Sequence, residues 1–136
     1  MRPRSIALAA VLAATLAGCG TAASSDEDFE GAEADVAQVV EDLEEAASEN
    51  EPRRVCTALL ATEVSRELGG GCIQAVENAF DDADTPALSV TSVRITGDRA
   101  RARVRPGLDE DRDADEILEL VRESGDWRIA RFAGAG

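Results

Sequence analysis

The stretch LSVTSVRITGDRARARVR, residues 88–105, decides the fold class. Its first half is rich in β-branched residues, as strands are. Its second half alternates strictly between arginines and small or apolar residues, which are Ala100, Ala102 and Val104. Gly97-Asp98 between the halves is a strong hairpin signal. The stretch therefore predicts two antiparallel strands, Leu88 to Thr96 and Arg99 to Arg105, with one face buried and the other open to solvent.

Two more strands are predicted downstream of this hairpin. Glu116 to Glu123 (EILELVRE) is apolar on both faces, as expected of a central strand. Ser124-Gly125-Asp126 turns the chain, and Trp127 to Phe132 forms the last strand. Gly107 to Asp115 between the hairpin and these strands is an acidic loop.

Helical patterns precede the hairpin. The predicted helices are Ala34 to Ala47, a second helix with Pro52 in its first turn, a continuation or short restart over Thr62 to Leu68, and Cys72 to Phe80. Their expected buried faces are Val36, Val39, Val40, Leu43 and Ala47 in the first, Val55, Cys56, Leu59 and Leu60 in the second, and Ile73, Val76 and Phe80 in the last. Helices followed by a meander predict an α+β fold, with the helices packed on one face of a curved antiparallel sheet.

The N-terminus predicts export. Arg2 and Arg4 precede an uncharged run of eleven residues, which fits a signal peptide and is shorter than the roughly 20 residues of a membrane-spanning helix. Leu16-Ala17-Gly18-Cys19 then resembles the bacterial lipobox. That resemblance implies a signal peptide over residues 1–18, lipid on Cys19, a disordered acidic tether over residues 19–32 and one domain over residues 33–136. An ordinary secretory signal, cut near Ala22-Ala23, is the alternative.

The composition excludes some partners and limits chemistry. The net charge is −14, which argues against nucleic acid and favours a monomer. Every basic residue is arginine, and histidine and tyrosine are absent. The side chains left for catalysis are carboxylates, cysteines and hydroxyls, so we expect no enzyme, no cofactor and no metal site. Asp109, Asp111, Asp113 and Asp115 alternate like the start of a calcium loop, but Ala114 and Leu120 stand where such a loop needs glycine and glutamate.

Cys56 and Cys72 remain once Cys19 is assigned to lipid. An even pair of cysteines in an exported domain predicts a disulfide. The bond would hold the second helix to the start of the last helix across Gly69-Gly70-Gly71. A redox pair or a zinc site is the alternative, but the spacing is not Cys-x-x-Cys and no histidine is available.

The order of elements, together with the closing segment Gly125-Asp126-Trp127-Arg128-Ile129, resembles secreted actinobacterial lipoproteins with a nuclear transport factor 2-like (NTF2-like) domain, the ketosteroid-isomerase-like cone. The resemblance covers about residues 35–132. It implies a cone that can enclose a pocket, lined here by Val90, Val104, Leu118, Leu120 and Trp127. Ketosteroid isomerase and the epoxide hydrolases of this superfamily use a tyrosine, and this chain has none.

The arginine row, defined as Arg99, Arg101, Arg103 and Arg105, is the most distinctive surface feature. One interpretation is a solvated sheet face whose arginines pair with acids such as Glu119 and Glu123. The other is a site for an anion or an acidic partner.

Two functional hypotheses follow. The first is a noncatalytic lipoprotein, anchored outside the cell membrane, that binds or scaffolds another envelope component. The alternative is a carrier or sensor of a small apolar ligand in the cone. An open apolar cavity would favour the carrier, and a filled core with a surface patch would favour the scaffold.

Overall fold

The element order separates helices from strands. The structure, a computed structural model, describes residues 29–83, 87–106 and 115–133. The helices are α1 (Ala32–Ser48), α2 (Pro52–Arg54, continued by a π-helical turn Val55–Leu59), α3 (Thr62–Leu68, followed by a 3-10 turn Gly69–Gly71) and α4 (Cys72–Asp82). The strands are β1 (Leu88–Thr96), β2 (Arg99–Pro106), β3 (Glu116–Glu123) and β4 (Asp126–Ala133). The predicted α+β class is confirmed, with the helices packed on one face of a curved, four-stranded antiparallel sheet.

The sheet is an antiparallel meander in the order β1-β2-β3-β4. Gly97 has φ 59° at the first turn position between β1 and β2, which glycine adopts without strain. Between β3 and β4, Ser124 (φ 50°) and Gly125 (φ 88°) are both left-handed, as a type I′ hairpin turn requires. Both turns match the right-handed twist of the strands, so short connections suffice.

The core lies between α1 and one face of the sheet, which we call the inner face. Ala100, Ala102 and Val104 are at most 2% exposed, as the alternation in β2 predicts. The largest fully buried side chains are Leu118, Leu120, Ile129, Val36 and Val40. Small residues on β2 let α1 approach closely, and its buried face includes Ala46 rather than the predicted Ala47.

The opposite face of the sheet, which we call the outer face, remains open to solvent. The expectation that β3 is buried on both faces is therefore only half right. Leu118 and Leu120 are 1% exposed, whereas Ile117 and Val121 on the outer face are half-buried. No helix of the described residues packs on the outer face, so its half-buried positions are shielded mainly by neighbouring side chains on the sheet.

The segment from α2 to α4 is irregular. Pro52 takes the first helical position as predicted, and the N-cap residue Glu51 makes no side-chain capping hydrogen bond. The helix ends at Leu60, where the backbone becomes extended, and α3 restarts at Thr62. Leu60 bridges Ile129 in parallel, and the Ala61 N–H donates to the Ile129 carbonyl at 2.8 Å. This short contact covers part of the free edge of β4.

The face of α4 differs from the prediction in one residue. Val76 is buried and Phe80 is half-buried, but Ile73 is 37% exposed and lies beside Pro52 and Arg53 at the surface. None of the helices in the described ranges combines the length and apolar character needed to cross a membrane.

Candidate functional site

An apolar cleft opens where the end of β4 meets α3 and α4. Its volume is about 430 Å³. The floor is formed by Leu43, Val55, Leu60 and Ile129, which belong to the core. The walls and rim come from Val64, Leu68, Ala75, Val76, Ala79, Phe80 and Phe132, with Glu67, Ala130 and Arg131 completing the lining. Two of the three phenylalanines in the chain line this cleft.

A β-bulge in β4 directs Phe132 into the cleft. Leu120 faces Ile129, but Glu119 faces Arg131, so Ala130 has no residue opposite. Strict alternation from Ile129 would have placed Arg131 on the inner face. The extra residue instead puts Phe132 opposite the buried Leu118, on the inner face, where it remains 56% exposed. An exposed aromatic side chain on the core side of a sheet is thus produced by one inserted position.

The wall formed by α3 is held in place by polar contacts rather than by burial. None of its residues is buried. The Glu123 carboxylate accepts hydrogen bonds from the Thr62 N–H (3.1 Å to each oxygen) and from the Thr62 hydroxyl (2.9 Å). It therefore caps the N-terminus of α3 from β3, where an anion is favoured by the helix dipole. The Ser65 hydroxyl donates to the Cys56 carbonyl at 2.7 Å.

The predicted disulfide between Cys56 and Cys72 is confirmed, with Cα atoms 6.2 Å apart. It joins the π-helical turn to the first residue of α4, and α3 lies in the loop that it closes. The bond therefore fixes the start of α4 directly and restrains α3 indirectly, through the loop that it closes.

The five residues predicted to line a pocket do not line this cleft. Val104, Leu118, Leu120 and Trp127 are at most 5% exposed and belong to the packed core, and the half-buried Val90 packs against it. The pocket prediction is wrong for these positions because small residues on β2 bring α1 onto the sheet and fill that space. Trp127 carries Arg122 over its ring at 4.9 Å, and its indole N–H has no hydrogen-bond partner in the described part of the chain.

The arginine row lies on the outer face, as predicted. Arg101 is 3.8 Å from Glu119, while Arg103 and Arg105 share Asp115 at 3.9 and 3.2 Å. Glu119 is also 3.6 Å from Arg131, which the bulge turns outward. Glu119 is thus an acidic partner of the row, as the sequence suggested.

Glu123 does not contact the arginine row. It caps α3 and lies 3.9 Å from Arg128, whose guanidinium donates to the carbonyls of Thr57 and Ala58. Within the described ranges, Arg94 and Arg99 have no acidic group within 4.0 Å.

Within the described residues, no group of three Cys, Asp or Glu side chains lies close enough together to hold a metal ion. Cys19, the lipobox and the tether to residue 28 lie outside the described residues, as do Asp109, Asp111 and Asp113 of the acidic loop.

Comparison with known proteins finds a similar solved structure. No protein-family model matches the chain, and no curated protein matches it. A solved, designed NTF2-like protein named "Rd1NTF2_05", whose full name also records five substitutions, is similar with 14% sequence identity and a TM-score of 0.48. The match covers 72% of this chain and 94% of that one.

The cleft residues were missed by sequence reasoning. Phe132 sits at the end of a strand whose alternation points it outward, and the bulge that reverses it has no clear sequence signal. The only available hint was compositional, because Phe80 and Phe132 are two of four aromatic residues in the chain.

Proposed function

We propose that this protein is a noncatalytic carrier or sensor that binds a small apolar ligand in the cleft between α3, α4 and β4. The observation that carries the proposal is the cleft itself: a concave, largely apolar space of about 430 Å³. Small-molecule sites are concave, predominantly apolar and usually between about 300 and 1,000 Å³.

The rim supports a ligand rather than a loosely packed core. Leu68 is 39% exposed and Phe132 is 56% exposed, and they lie on different walls of the same cleft. A ligand bound between them would remove apolar surface from water at about 25 cal/mol per Å². Glu67 at the lining could contact a polar end group on an otherwise apolar ligand.

This proposal reverses the order of the two hypotheses from the sequence. The core around Val104 and Leu118 is filled, as the scaffold hypothesis expects. However, an open apolar cleft lies beside that core, and an open apolar cavity is the feature that favours a carrier.

Titration with the uncharged dye N-phenyl-1-naphthylamine tests the carrier. The buried residues of the described chain all lie between Val36 and Ile129, so a chain beginning at Gly20 serves for the measurement. Saturable fluorescence enhancement is expected. Phe132→Glu should weaken binding about tenfold or more, because it places a charge against apolar surface.

The matched control is Ile73→Glu. It makes the same charge change at an exposed apolar residue outside the cleft, and it should leave dye binding unchanged. Ala79→Trp, at an exposed wall position, should block the cleft without disturbing the core. Equal loss in the Phe132 and Ile73 variants, or unaltered binding in the Ala79 variant, would show that the dye binds elsewhere.

The proposed location is the outer face of the cell membrane, with lipid on Cys19. The lipobox resemblance and the apolar run before it support this part of the proposal. Intact mass of the full chain expressed in a bacterial host should begin at Cys19, carry a diacylglyceryl group and gain two hydrogens on reduction. A lipid-free mass beginning elsewhere would contradict the anchor and leave the cleft proposal standing.

A further inference from the structure

The outer face of the sheet concentrates positive charge on an acidic protein. Its arginines come from three strands and include Arg94, Arg99, Arg101, Arg103, Arg105 and Arg131, whereas Arg128 at one end of the face lies 3.9 Å from Glu123. Two carboxylates, Asp115 and Glu119, lie within 4.0 Å of four of them. Arg94 and Arg99 have no acidic partner in the described part of the chain. This face is therefore locally basic although the whole chain carries −14.

The arginines are available to a ligand. Side-chain exposure is 59% for Arg101, 55% for Arg103 and 45% for Arg105. Exposed ion pairs contribute only about 0–1 kcal/mol, and three of these four contacts are longer than 3.5 Å. An incoming anion can therefore replace the present carboxylates at little loss.

We propose that the outer face binds a linear polymer of phosphate groups along the arginine row. The proposal concerns a surface separate from the apolar cleft and does not depend on it.

The geometry favours a polymer over a single ion. Alternate residues of one strand lie about 6.6–6.8 Å apart, so the four arginines of the row form an evenly spaced line about 20 Å long. A chain of linked anions can contact several guanidinium groups at once, and each later contact is intramolecular. A single phosphate gains none of this multivalency.

The same face is a poor match for a folded acidic protein. Protein interfaces usually contain a buried centre of aromatic and apolar anchors. On the outer face, Ile117 and Val121 are only half-buried between charged neighbours, and the exposed large apolar residues of the described chain, Leu68, Ile73 and Phe132, all lie elsewhere. Binding here must rely on charge, which suits a flexible polyanion.

An anionic bilayer matches less well too. Glu30 precedes α1, and Glu33 and Asp35 lie in its first turn; all three are exposed, so the end of the domain where the N-terminal segment joins is acidic. We favour phosphate over carboxylate because a carboxylate polymer would only replace the carboxylates of Asp115 and Glu119 with the same chemical group. A phosphate offers more acceptor oxygens to the planar guanidinium group.

The test uses the full processed chain in a non-ionic detergent, titrated with long-chain polyphosphate by calorimetry. Binding per phosphate should be about 100-fold tighter than for inorganic phosphate. It should weaken as salt is raised, because counterions are released on binding. The double variant Arg99→Gln/Arg101→Gln should bind about tenfold more weakly. The control Arg53→Gln/Arg66→Gln makes the same charge change on α2 and α3 and should bind normally.

Each other outcome overturns the proposal in a defined way. Equal binding of polyphosphate and inorganic phosphate would indicate no linear site. Equal or tighter binding of polyglutamate would indicate an acidic polypeptide as the partner. Preferential binding to vesicles containing anionic lipid, compared with neutral vesicles, would indicate a membrane surface. Equal loss in both double variants would indicate an effect of net charge. Thermal unfolding of each variant confirms that the fold is retained.

Discussion

The sheet and the segment from α2 to α4 are built in different ways. In the sheet, the four strands pair in sequence order, and the centre of the inner face is filled by fully buried apolar side chains. In the segment from Pro52 to Asp82, buried residues are sparse, being Val55, Leu59, Leu60, Ala61, Cys72 and Val76, and three helix types alternate within 31 positions. The first region is held by many equivalent contacts, and the second by a few specific ones.

This difference explains why the cleft lies where it does. A region with so few buried side chains does not fill the space beside it, so the end of β4 remains uncovered. The disulfide, the Glu123 cap and the Ala61–Ile129 hydrogen bond hold the walls apart from the core without filling the gap. If the two regions differ in this way, substitutions in the packed face should cost the most stability and those on the open face the least.

Leu118→Ala should have the largest effect. Leu118 is 1% exposed at the centre of the inner face, and removing a buried leucine costs about 2–5 kcal/mol. Urea unfolding should show the whole domain destabilised in one transition. Ile117→Ala, the adjacent position on the outer face, should lose much less. Similar losses at the two positions would contradict the distinction between a packed face and an open face.

Removal of the disulfide by Cys56→Ser/Cys72→Ser should come next, with a loss of about 3 kcal/mol for a loop of this size. Hydrogen exchange should show amides of α3 and α4 losing protection before those of β2 and β3. Cleft binding should weaken as well, because both walls are released. Uniform loss of protection would mean that the helical segment is not a separate weak region.

Glu123→Gln should cost about 1 kcal/mol, because it removes the negative charge and one acceptor from the N-terminus of α3. The effect should be confined to α3 and visible in its amide exchange. Glu116→Gln, an exposed position at the other end of β3, is the matched control and should be neutral. An equal change in both variants would rule out the capping role.

Arg103→Gln should have the smallest effect on stability, within about 0.5 kcal/mol, because its ion pair with Asp115 is long, at 3.9 Å, and the Arg103 side chain is 55% exposed. Arg54→Gln is the informative comparison. Hydrogen bonding to Glu45 at 2.7 Å, with Glu51 and Asp42 nearby, raises the pKa of Arg54 above its usual value.

A raised pKa means that the charged form of Arg54 is favoured by folding, so its contribution is present throughout neutral pH and lost only in strong alkali. Thermal unfolding at neutral pH should therefore show a larger loss for Arg54→Gln than for Arg103→Gln. The opposite order would indicate that the outer face, and not the helical segment, depends on its ion pairs.

Much of the fold was predictable because its patterns are local. The alternation of Ala100, Ala102 and Val104 against arginine defines both faces of β2 without any tertiary information. The turns at Gly97 and at Ser124-Gly125 require backbone conformations that few residues adopt, so they also mark the strand ends. The disulfide was predictable because, with Cys19 assigned to lipid, two cysteines remained.

The candidate site was not predictable from the same signals. A bulge at Ala130 shifts the pairing of β4 with β3 by one residue. As a result, Arg131 lies on the outer face and Phe132 on the inner face. The capping of α3 by Glu123 depends on a contact between Glu123 and Thr62, which are 61 positions apart in the chain. Such contacts are set by the packing of whole elements, which leaves no periodic pattern along the chain.

By itself, the sequence determined the elements, the inner and outer faces of the hairpin, the arginine row and the cysteine pair. These follow from side-chain alternation, turn chemistry and composition, which act between near neighbours in the chain. Only the tertiary structure decided that the expected pocket is filled and that an apolar cleft lies at the end of β4. Where the helical segment meets the sheet, the volumes of distant side chains determine whether space is filled or left open.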